Sequence, residues 1–120
     1  MTMGNYLNYP LSRGAIHISG KDVYSPPEFN AGFLSHPADL APFIWVYKKM
    51  REITRRMPSF RGELAETHPQ FGEGSAAKCV EGYNHADIVY SLEDDEAIER
   101  WTREKVGTCW HSMYVLMRCS

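Results

Sequence analysis

The stripe Leu40, Phe43, Ile44, Tyr47, Met50, Ile53 and Met57, with Ile53 one place off, has the spacing of one long helix. Ser35 or Asp39 stands where an N-cap belongs, and Pro58 terminates the run. If Asp39 caps, Pro42 falls at the third helical position, where the helix needs no amide hydrogen. Trp45 and Val46 lie off the stripe, so the spacing predicts apolar neighbours on more than one side and partners beyond this chain. Lys48, Lys49, Arg51, Arg55 and Arg56 share the same segment without an interleaved aromatic platform. That pattern predicts a solvated helix face and argues against nucleic-acid binding.

A second helix opens at Ser91, with Asp94 three residues on as a capping box, and Glu93-Asp94-Asp95-Glu96 sits where the helix dipole favours negative charge. The acidic run is thereby explained without a metal. Ile98, Trp101, Thr102 and Lys105-Val106 give its expected buried edge, and Gly107 is a suitable stop. Directly after it come Thr108-Cys109-Trp110-His111-Ser112-Met113, which set an imidazole beside an indole. A histidine held there could move a proton, although from spacing alone a satisfied structural histidine is the commoner role.

Elsewhere the signals are shorter. Residues 9–20 alternate around Ala15-Ile16-His17-Ile18 and end in the turn Gly20-Lys21-Asp22, a short strand with His17 on the exposed side. Val23 to Phe29 contain Pro26 and Pro27, which forbid helix and predict an extended connector anchored by its aromatics. Residues 59–90 are punctuated by Gly62, Pro69, Gly72, Gly74 and Gly82, with only Ala86-Asp87-Ile88-Val89-Tyr90 reading as a strand.

Composition bounds the class. The 120 residues are 43% hydrophobic and 12% aromatic, which suits one modest domain or a piece of a larger one. Residues 1–62 hold 8 Lys/Arg against 4 Asp/Glu and residues 63–120 hold 5 against 11, a dipolar split suited to packing on another surface. Cys79, Cys109 and Cys119 form no C-x-x-C pair, so neither a disulfide framework nor a zinc site is indicated, and a reducing compartment is expected. A metal site from His85, His111, Cys79 and Cys109 lacks ligand spacing. Residues 1–8 lack a signal-peptide pattern, no run of 18 apolar residues occurs, and Arg118-Cys119-Ser120 is not the Ser-Lys-Leu peroxisomal tripeptide. The expectation is a soluble intracellular protein, peroxisomal or cytoplasmic, that does not engage a membrane.

Several blocks, taken in order, resemble one family. Pro10-Leu11-Ser12-Arg13-Gly14-Ala15-Ile16-His17-Ile18 is similar to the P-x-S-R-G-x-I-x-I opening of the C-terminal domain of glucose-methanol-choline flavin oxidoreductases. Pro27-Glu28-Phe29-Asn30-Ala31-Gly32-Phe33-Leu34 and Asp39-Leu40-Ala41-Pro42 resemble its proline-led segment and the start of its long helix. Asp94-Asp95-Glu96-Ala97-Ile98-Glu99 and Thr108-Cys109-Trp110-His111-Ser112-Met113 resemble its later helix and its catalytic-histidine segment. Within the family, the Tyr47-Lys48-Lys49 helix and the Trp-His pair are most similar to fungal alcohol (methanol) oxidases.

The resemblance implies an α+β fold, a partial antiparallel sheet with helices packed on one face, in which residues 1–113 form an incomplete C-terminal domain and 114–120 a divergent tail. It implies FAD-dependent oxidation of a primary alcohol to an aldehyde, with oxygen as acceptor and hydrogen peroxide formed. His111 would take the hydroxyl proton and Trp110 would line the alcohol pocket. No Gly-rich strand-turn-helix for the FAD pyrophosphate occurs, and Tyr114-Val115-Leu116-Met117 replaces the family's Gly-Thr continuation. A fragment inactive alone is therefore expected. The alternative is a non-catalytic interaction module, or vestige, that joins an oligomer or a complementing chain.

Overall fold

The computed structural model describes residues 3–82 and 86–108; Trp110, His111, the 114–120 tail and two of the three cysteines lie outside them. Two helices form the body. Helix α1 is Leu40–Arg55 and α2 is Leu92–Lys105. Along α1 the buried positions recur every fourth residue, Phe43, Tyr47, Arg51 and Arg55, so one narrow edge faces the chain's own interior. It meets the edge of α2 formed by Ala97, Ile98 and Thr102. Between the helices the Tyr47 and Trp101 rings stand 5.6 Å apart, and Lys48 pairs with Asp95 at 2.5 Å.

Both helix starts follow from local chemistry, though in different ways. Ser91 Oγ accepts from Asp94 N while the Asp94 carboxylate accepts from Ser91 N at 2.8 Å, so the expected capping box forms. The other Asp94 oxygen accepts from Ser75 Oγ at 2.6 Å, which ties the irregular segment to the helix. Asp39 stands at the N-cap of α1 but makes no side-chain cap. Pro42 at the third position has no N–H to offer, and the Asp39 carboxylate turns elsewhere.

Strands β1 (Ala15–His17) and β2 (Glu28–Asn30) pair antiparallel, with Ile16 opposite Phe29 and His17 opposite Glu28. The α+β composition is as expected, and His17 is exposed as predicted. So is every other residue of both strands, because the helices pack on each other and leave the hairpin bare. The segment around Phe29, expected as a connector, supplies the second strand. Its aromatics anchor on nothing among the described residues: Phe29 is 73% and Tyr24 92% exposed. Residues 86–90 form no strand, and the segment between the helices is held instead by an isolated bridge, Gly62 to Glu81, and by side-chain contacts.

The radius of gyration is 17.5 Å, against about 14 Å for a compact domain of this length. The chain extends 59 × 29 × 24 Å. The apolar core is correspondingly small, built on Leu34 and Phe43, with Leu7, Phe33, Leu40, Val46, Trp101 and Val106 packed against it.

Candidate functional site

Two of the motif blocks meet at one carboxylate. Asp39 Oδ1 accepts from Leu11 N at 2.8 Å, and Oδ2 accepts from Ser12 N at 2.7 Å and Ser12 Oγ at 2.5 Å. Ser12 Oγ in turn accepts from His36 N at 3.0 Å. Burial works to raise the Asp39 pKa, but the Leu11 and Ser12 hydrogen bonds outweigh it and hold the carboxyl below its ordinary value. The Pro-Leu-Ser-Arg-Gly segment is thereby clamped to the start of α1.

Glycine is required where that segment passes its neighbour. A Cβ on Gly14 would lie 2.6 Å from the carbonyl oxygens of Asn30 and Ala31; one on Gly32, which has φ of +61°, would lie 2.1 Å from the Arg13 carbonyl oxygen. The backbones of the two blocks therefore touch. At the far end of α2, Val106 packs on Leu34 and Phe43 in the apolar cluster, and Arg103 Nη1 reaches the Leu34 carbonyl at 3.4 Å. The point from which the Trp-His segment departs is fixed against the same cluster that follows β2.

The expected solvated basic face is corrected in its inner half. Lys49 and Arg56 are exposed, whereas Arg51 and Arg55 are each 4% exposed. Arg51 makes a fork on Glu63, Nε to Oε1 and Nη2 to Oε2, both at 2.7 Å. Its Nη1 donates to the Ala77 carbonyl at 2.9 Å, and the guanidinium lies 5.3 Å from the Phe71 ring centre and 6.0 Å from those of Tyr47 and Tyr90. Burial alone would raise the Glu63 pKa, yet the Arg51 fork holds the carboxyl below its ordinary range. The cluster binds residues 63–80 to α1.

His68 and Tyr47 complete it, with Tyr47 Oη 2.8 Å from His68 Nδ1. Burial, then the Arg51 charge, lowers the His68 pKa, while Glu63 opposes them. Tyr47 is pushed up by burial, and Cys79 is pushed up by burial and by Glu63. A raised thiol is not an activated nucleophile, and the arrangement performs no chemistry that its residues suggest. It is a latch. Position 51 continues the i, i+4 series from Phe43 and Tyr47, and that signal could have shown it buried; Glu63, in an irregular segment, carried none.

The described residues do not fit the pyrophosphate of FAD. At the start of α2 the Asp94 carboxylate already takes the Ser91 amide and Glu93 and Asp95 add negative charge, while α1 begins with Asp39 and has Pro42 in its first turn. Neither helix start can accept a diphosphate. Among the described residues no group of three His, Cys, Asp or Glu side chains could hold a metal ion; His85, Cys109 and His111 lie outside them. No described helix is long and apolar enough to cross a membrane.

Residues 10–113 match the family described as GMC oxidoreductase, in its C-terminal part. Alcohol oxidase 1 of Komagataella phaffii is 35% identical over 156 aligned positions, and alcohol oxidase of Candida boidinii 33% over 157, each match covering 94% of this chain. A GMC oxidoreductase family protein of Malassezia sympodialis is 30% identical over 105 positions. The alignments to the alcohol oxidases are longer than the 120-residue chain, so those relatives carry internal segments that it lacks. The chain spans about a quarter of their length, 24%. With the family matching nearly the whole chain, and with its first motif blocks clamped together at Asp39, this chain belongs to the glucose-methanol-choline oxidoreductase family.

Proposed function

We infer that this chain serves the oxidation of a primary alcohol to an aldehyde within an FAD-dependent GMC enzyme, oxygen being the acceptor and hydrogen peroxide the product. Residues 1–113 act as a partial C-terminal domain and 114–120 as a divergent tail. His111 is its proton acceptor, taking the hydroxyl proton of the alcohol, and Trp110 shields that imidazole from water and lines the alcohol pocket. An uncharged imidazole suits the task, because a base works best with a pKa near the working pH. What carries the reading is the likeness to alcohol oxidases along 94% of the chain. The anchoring of Val106, five residues before His111, on the cluster beside the clamped motif blocks supports it. The described residues offer no dinucleotide cradle, so the isolated chain is expected to be inactive and FAD to be held by other residues. A peroxisomal or cytoplasmic setting suits a peroxide-forming reaction.

The test is complementation. Alcohol oxidase 1 of K. phaffii lacking the aligned quarter is co-expressed with this chain, and peroxide formation is followed with primary alcohols. Alcohol-dependent peroxide that falls at least about a hundredfold in His111→Ala, in line with the loss of a general base, is the expected result. A complex equally active without His111 overturns the assignment.

The bare hairpin favours a second reading, an interaction module. Ile16, Ile18 and Phe29 are 64%, 88% and 73% exposed, more apolar surface than an isolated chain normally leaves in one place. In that reading the chain binds the same enzyme remainder, and His111→Ala leaves both binding and the partner's activity unchanged.

A further inference from the structure

Arg55 is the second buried arginine of α1, one turn beyond Arg51, and its charge is unmatched. Among the described residues its Nε and Nη1 are buried without a hydrogen-bond partner and it joins no ion pair. A buried charge left uncompensated is costly, and an unsatisfied buried donor in a native protein calls for a missing partner. The neighbouring carboxylates are committed. Glu52 accepts from Lys49 at 2.7 Å and Arg56 at 3.0 Å, Asp87 holds Arg56, and Asp95 holds Lys48. Residues 1–2, 83–85 and 109–120, the remainder of the chain, contain no Asp or Glu. Among the described residues no carboxylate pairs with Arg55, and the two that line the same groove, Glu52 and Asp87, are held by other cations.

Arg55 lines an open groove of about 340 Å³ with Lys48, Lys49 and Arg56, and with Trp45 and Tyr90 as aromatic walls. Four cations against the two carboxylates of the lining, Glu52 and Asp87, leave the groove net positive. We propose that this groove is a ligand site in which Arg55 receives the oxyanion of an external small molecule. The ligand bears a carboxylate or phosphate group on an apolar body that lies against Trp45 and Tyr90. A guanidinium suits either oxyanion, and half-exposed aromatic faces beside it suit the body.

The experiment is a calorimetric titration of the full chain with sodium phosphate and, separately, sodium benzoate, at ionic strength held constant with sodium chloride. Thermal unfolding is followed in parallel. Saturable heat and a rise in Tm of several degrees with at least one probe are expected, both lost in Arg55→Met, which replaces the buried charge with an apolar side chain of similar reach. A response to phosphate alone assigns a phosphate ligand; a response to benzoate alone assigns a carboxylate on an aromatic body. No saturable heat from either probe with the wild-type chain overturns the proposal without recourse to any variant. An equal response in Arg55→Met overturns it too, by showing general screening of the basic groove.

Discussion

The helix pair and the hairpin make opposite use of their side chains. In the helix pair most of the charged groups drawn inside are matched, as Arg51 is by Glu63 and Asp39 by Leu11 and Ser12, Arg55 being the exception. In the hairpin even Ile16 and Phe29 lie open to solvent. A two-stranded hairpin is marginal in water without a packed face, and the described residues supply none. Arg55 apart, the helix pair meets its buried charges from within, whereas the hairpin leaves its apolar side chains uncovered.

Breaking the interior side of this contrast has the largest expected effect. Glu63→Gln leaves Arg51 buried beside a group that cannot neutralise it and should cost about 3–5 kcal/mol in urea unfolding. Replacing both residues with methionine should cost much less, since an apolar pair of similar volume needs no compensation. Next is Asp39→Ala, which strips the amides of Leu11 and Ser12 of a charged acceptor and should cost about 1.5–3 kcal/mol. The hairpin's attachment would then loosen, measurable as faster exchange of the residue 11 and 12 amides.

Acid should act on the same interior. The folded pKa of His68 lies below its ordinary value of about 6.5, so below that pH the unfolded chain binds a proton that the folded chain refuses, and stability falls with pH. Glu63, Asp39 and Asp94, all depressed, add a further fall as pH drops through the range of about 4 and below, where the unfolded carboxylates protonate first. Denaturant midpoints between pH 5 and 7 should therefore slope upward, and His68→Gln should flatten that slope. Ser91→Ala, which removes half of the capping box, should cost about 1 kcal/mol. The smallest effect is expected in the hairpin. Ile16→Thr or Phe29→Ser should change the stability of the isolated chain by no more than about 0.5 kcal/mol, while weakening complementation of an alcohol oxidase remainder.

What the sequence made legible were features with local causes. Ser91 and Asp94 are three residues apart, and their box could be read directly; the amphipathic run from residue 40 likewise marked α1. Asp39 was readable as the helix start but not as the clamp on Ser12, because that partner lies 27 residues away. Arg51 and Arg55 were concealed among three other basic residues, and a charge run ordinarily marks a wet surface. Strand β2 was hidden behind Pro26 and Pro27, since its pairing depends on β1 and not on its own pattern. At residues 86–90 the alternation suggested a strand, but Tyr90 turns instead toward Arg51 and Phe71. Trp110 and His111 carry the proposed chemistry on family likeness, and both lie outside the described residues.

The most direct measurement is amide hydrogen exchange on this chain, first alone and then mixed with an alcohol oxidase remainder lacking the aligned quarter. Slow exchange is expected along Leu40–Arg55 and Leu92–Lys105 in both samples. Fast exchange is expected at Ala15–His17 and Glu28–Asn30 in the chain alone, becoming slow in the mixture. A hairpin as protected alone as the helices, or one indifferent to the remainder, would contradict that expectation.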